Sequence, residues 1–112
     1  MISEERKQQL ETFWTQQLPP IDPASVPADF NEFYFVLQLL QMEQQKADTV
    51  ERKMSVMCKT GIFVIDINAS IEMKKLSENE AMLLRSKGDE IGESLTAEFE
   101  KFRYPSIASD EE

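Results

Sequence analysis

A chain of 112 residues with 41% hydrophobic side chains, no histidine, one cysteine and a formal net charge of -9 is long enough for one domain around one core. The missing histidine excludes a His-assisted serine or cysteine nucleophile and an imidazole metal ligand, and the lone Cys58 excludes an internal disulfide. Three glycines are few for an all-β protein, which needs many tight turns with positive φ.

Ser3 ahead of Glu4, Glu5 and Arg6 reads as an N-cap with acidic residues in the first helical turn, where they suit the dipole. The helix is predicted to run to about Leu18, with Leu10, Phe13, Trp14 and Leu18 on one face. Pro19-Pro20 stops it, and four of the five prolines fall between positions 19 and 27, marking an extended linker. The adjacent aromatics Phe13-Trp14 have two readings, an anchor into a partner's groove or a closure of the chain's own core.

A second helix is predicted from Ala28 to about Ala47. Phe30, Phe33, Tyr34, Phe35, Val36, Leu37, Leu39 and Leu40 make it apolar nearly all the way round. Such a helix is either central to a core or shared between two chains, and in a chain this short sharing is favoured. The expected partner-binding residues are therefore Phe13, Trp14, Phe30, Phe33, Tyr34, Leu37 and Leu40.

Residues 49–75 support two readings. As a helix, Val50, Met54, Met57, Gly61, Val64 and Ile71 fall near one stripe; as a strand, Ile65, Ile67, Ala69, Ile71 and Met73 alternate with polar residues, with Lys59-Thr60-Gly61 as a hairpin turn. One glycine and no proline across this length favour the helix. A last helix starts at Ser77 with Glu80 at capping-box spacing, and Leu84, Ile91, Leu95, Phe99 and Phe102 form its stripe. Gly88 and Gly92 interrupt it and offer close helix packing. Tyr104-Pro105 ends it, ahead of an acidic tail.

The charge is uneven, with a net of -5 over residues 1–45, +2 over 46–75 and -6 over 76–112. An acidic chain repels phosphate, so direct nucleic-acid binding is not expected, and only the middle third could face DNA. Carboxylate pairs such as Asp89-Glu90 read as a solvated helix face, and Cys58 as a small core or boundary residue. The six methionines read as core gap-filling or as an adaptable binding surface. No phosphate-binding glycine loop or EF-hand spacing is present, and no cofactor or metal is expected. The opening Met1-Ile2-Ser3-Glu4-Glu5 is polar where a signal peptide would be basic and then apolar, and no run reaches the roughly 20 apolar residues that span a bilayer. An intracellular protein of nucleus or cytoplasm is the expectation.

Several segments resemble, in order, the histone-fold C subunit of the CCAAT-box-binding transcription factor. They are Gln8 to Gln17 with Ile21 and Asp29-Phe30, Lys46-Ala47-Asp48 with Val50, Ile62 to Asn68, and Lys74-Lys75-Leu76 with Asn79-Glu80-Ala81-Met82. The resemblance covers roughly residues 8–82 in short pieces, and its central helix needs a gap to align. It implies a subunit that pairs with a second such chain, and it favours helix over residues 49–75. The family's basic, DNA-contacting first helix has no counterpart, since Phe35 to Glu43 contains no lysine or arginine.

The expected fold is all-α, with three to four helices and a proline-rich linker (19–27) after the first. It forms a single domain over residues 1–104, followed by an acidic tail over 105–112. The alternative is an α+β fold with a hairpin at about 50–73. The expected function is non-enzymatic: a small acidic helical subunit that pairs with a partner chain or a second copy through apolar helices, in the manner of a histone-fold-like subunit of a nuclear transcription assembly. The alternative is an acidic α+β binding domain or a chaperone masking a client segment.

Overall fold

Helices in this chain begin where a side-chain oxygen can take an orphan amide. Ser3 Oγ accepts from the Arg6 amide at 3.1 Å, Asp29 Oδ1 from Glu32 at 3.0 Å, and Thr49 Oγ1 from Arg52 at 3.2 Å. Ser77 and Glu80 close a reciprocal capping box at 3.2 and 3.0 Å. Each cap is worth about 1 kcal/mol. The computed structural model describes residues 1–103, with four α-helices that these caps open: α1 (Glu4–Trp14), α2 (Phe30–Lys46), α3 (Val50–Glu72) and α4 (Glu78–Arg103). The fold is all-α, and no strand occurs among the described residues. The expected stop at Tyr104-Pro105, the acidic tail over 105–112 and the side chain of Phe102 lie outside the described residues.

Residues 49–75, read two ways from sequence, form one continuous helix, so Lys59-Thr60-Gly61 lies inside α3 and is not a turn. That helix closes with Lys74 in the left-handed region at φ 61, the Lys75 amide bonding back to Ser70 O and the Lys74 amide to Ile71 O. This is the Schellman arrangement with a lysine at the position that glycine usually fills. Short connections at residues 47–49 and 73–77 set α2, α3 and α4 antiparallel in turn.

The core gathers on one ring. Phe63 of α3 meets Trp14 from α1 in a T-shaped contact at 6.3 Å between centroids and Phe33 from α2 at 5.8 Å. Gly88 of α4 lies against the same ring, with the position of a Cβ 3.5 Å from Phe63. Around this contact are buried Leu10, Val36, Leu37, Leu40, Ile67, Leu84, Ile91 and Leu95. Helix α2 packs on α1, α3 and α4 and is the central helix of its own chain.

The first helix is shorter than its apolar pattern suggests. It ends at Trp14, and Leu18, expected on its buried face, is 75% exposed. The chain unwinds there because its carbonyls have another use. The Lys59 ammonium, fully buried, donates to Trp14 O and Gln16 O at 2.9 Å and to both Glu43 carboxylate oxygens at 2.7 Å. Ser55 Oγ donates to Gln17 O beside it. A cation at the carbonyl end of α1 also suits the helix dipole.

The linker is then folded back and tied. Arg6 donates to Ala24 O at 2.6 Å, to Val26 O at 3.1 Å and to Glu32 Oε1 at 3.0 Å. Trp14 Nε1 donates to Ser25 O at 2.9 Å, and Pro23–Ser25 forms a short 3-10 turn capped by Asp22. Pro20 and Pro27 are buried, so the proline segment is a packed strap and not a free extended link.

Lys59→Met removes the donor to two carbonyls and strands Glu43. We expect it to lower the unfolding free energy by about 2–4 kcal/mol in urea denaturation. Glu43→Gln keeps both carbonyl bonds and is expected to cost about half as much.

Candidate interaction surface

The side chains expected to meet a partner are mostly used inside the chain. Trp14, Phe33, Leu37 and Leu40 are buried in its own core, and Phe13 and Phe30 are half-buried against it. Only Tyr34 stays open, 45% exposed and stacked on Phe30 at 6.0 Å. The aromatic pair Phe13-Trp14 therefore closes the core.

Open apolar side chains also line one face of α3. Its buried face carries Val56, Lys59, Thr60, Phe63, Ile67 and Ser70, and the opposite face carries Met54, Met57, Cys58, Gly61, Val64 and Ile65 at helical spacing. Met54 is 53% and Ile65 62% exposed. The only charged residue from Met54 to Ile65 is Lys59, which points inward, so this outward stripe carries no charge. Cys58, expected at the core or its boundary, is exposed on that stripe, one position off the buried face.

By length and composition alone α3 is long and apolar enough to cross a bilayer, although it holds no unbroken run of about 20 apolar residues. Counting unbroken apolar residues misses it because Lys59 and Asp66 interrupt the run. In the fold its buried third packs on the other helices.

Beside the stripe, α3 and α4 enclose a groove of about 610 Å³. Met57, Gly61 and Val64 line it from α3, and Gly92, Thr96 and Ala97 from α4. Its rim carries Asp89, Glu93 and Glu100 and no lysine or arginine. A Cβ at Gly88 would make ordinary contact with Phe63 at 3.5 Å, whereas one at Gly61 or Gly92 would meet nothing within 4 Å. A glycine inside a helix costs about 1 kcal/mol relative to alanine, and the chain's own packing does not require these two.

A second cleft of about 340 Å³ at the corner of α2 and α3 is lined by Glu43, Lys46 and Arg52. Its charges are already engaged in part, Glu43 by Lys59 and Arg52 by Asp48 at 3.3 Å. Among the described residues, no three Cys, Asp or Glu side chains gather into a cation site. Among the described residues the one clearly perturbed carboxyl is Asp66, which burial pushes up to about 6, with Oδ2 enclosed and without a hydrogen-bond partner there.

A scan of protein-family models found no match, and searches of curated proteins and of solved structures found none either.

Burial raises the affinity of Asp66 for its proton, so the folded chain binds more protons than the unfolded chain between about pH 4 and 6. Stability therefore falls as pH rises through that window and stays lower above it. Asp66→Asn is expected to raise stability by about 1–2 kcal/mol at pH 8 and by nothing near pH 4, read from urea midpoints at both values. Gly61→Ala and Gly92→Ala, which enter open space, are each expected to raise stability by about 1 kcal/mol in the same assay.

Proposed function

We propose that this chain is a non-enzymatic helical subunit that pairs with a partner protein through the outward face of α3 and its groove with α4. The observation that carries the reading is the uncharged, exposed stripe from Met54 to Ile65 on a protein otherwise rich in surface charge. Contiguous exposed apolar surface of this kind marks interaction sites. Flexible thioethers at Met54 and Met57 adapt to a partner's shape. Mid-helix glycines that no contact within the chain needs let a partner's backbone approach closely, at a cost to stability. The likeness of residues 8–82 to the histone-fold C subunit supports the same reading, because it implies a helical chain that works as one of a pair. The lack of a basic first helix supports protein pairing over a direct grip on DNA.

A photo-crosslinking amino acid placed at Gly61 tests the reading, with one at exposed Ser94 as control. In cells expressing the protein, position 61 is expected to give a discrete protein adduct that position 94 does not. Ile65→Glu, a change on an exposed side chain, is expected to abolish the adduct while leaving the melting temperature within a few degrees. Equal labelling from both positions would sink the proposal.

A further inference from the structure

We infer that the groove between α3 and α4 receives an amphipathic helix of another protein whose apolar stripe is edged with lysine or arginine. This rests on the proposed docking face and adds the chemistry of the occupant. The argument is charge complementarity. Asp89, Glu93 and Glu100 occupy one edge of α4 at i, i+4 and i+11, which at 1.5 Å per residue places acid along about 16 Å of the groove. No cation lines the groove to balance them. The floor beneath is apolar, and Gly61 and Gly92 leave room for a large side chain to enter. A helix of three turns or more, with cations along the edge that meets α4, satisfies the rim and the floor together.

The same rim argues against other occupants. A second copy would bring the identical acidic edge and a net charge of -9 against this one. The chain's own residues 110–112, Asp-Glu-Glu, carry the same sign. Anionic lipid is repelled for the same reason.

The test uses the full chain and a synthetic peptide of about 20 residues, with a leucine stripe at helical spacing flanked by lysines. A twin peptide carries glutamate in place of every lysine. Affinity is read by fluorescence anisotropy of the labelled peptides, and location by amide chemical shifts of Gly61 and Gly92. The lysine peptide is expected to move both glycine amides and to bind at least about 10-fold more tightly than its twin at low salt, the difference shrinking at 0.5 M salt. Asp89→Lys with Glu93→Lys, both on exposed side chains, is expected to reverse the preference.

If both peptides bind at these glycines equally, the docking face stands and the basic occupant is overturned. If neither peptide moves them, the docking reading falls as well. Concentration-dependent shifts of Gly61 and Gly92 in the chain alone, with dimer in sedimentation, would make the occupant a second copy and overturn the inference. So would the same shifts with phosphatidylcholine vesicles and not with peptide.

Discussion

The fold depends on one buried cation. Lys59 is on the inner face of α3, and its ammonium reaches the carbonyl end of α1 and the carboxylate of Glu43 on α2. A buried ammonium is costly unless every proton is met, and here three directions are filled by two carbonyls and a carboxylate. The contact does what a larger apolar core would otherwise do, holding three helices at one point. It also explains where α1 ends. The helix stops at Trp14 because Gln16 and Gln17 must turn their carbonyls toward Lys59 and Ser55.

With that corner fixed, the aromatic side chains are drawn inward. Trp14 and Phe33 converge on Phe63, and α4 passes the same ring at Gly88. The four helices thus consume the apolar residues of α1 and α2. Part of the excess remains on α3, whose outer face carries Met54 and Ile65 exposed. The outward apolar face of α3 is what the core leaves over, and its acidic border comes from α4.

Much of the architecture was legible in the residues. Ser3, and Ser77 with Glu80, announce helix starts through a short acceptor followed by acidic residues. The prolines between 19 and 27 announce the break after the first helix. What misled was apolarity without direction. Around α2, Phe33, Leu37 and Leu40 are all buried within the one chain, and from sequence that is indistinguishable from a helix shared between two chains. Over α3, an apolar outer face beside an apolar inner one erases the helical period, and the alternation from Ile65 to Met73 then imitates a strand. Lys59 left no signal at all. A lysine next to a cysteine and a threonine looks solvated until the fold brings carbonyls to it from 43 and 45 residues away.

The first segment is held through the main chain. Arg6 binds the carbonyls of Ala24 and Val26, Trp14 that of Ser25, Ser55 that of Gln17, and Lys59 those of Trp14 and Gln16. A carbonyl is the same whatever side chain sits beside it. The strap is therefore recognised by its path and not by its letters. Positions 16, 17, 24 and 26 are free to drift, while the donors that read them, Arg6, Ser55 and Lys59, are not. Evolution can repaint this part of the surface, changing which neighbours it tolerates, without reopening the question of how the helices stand.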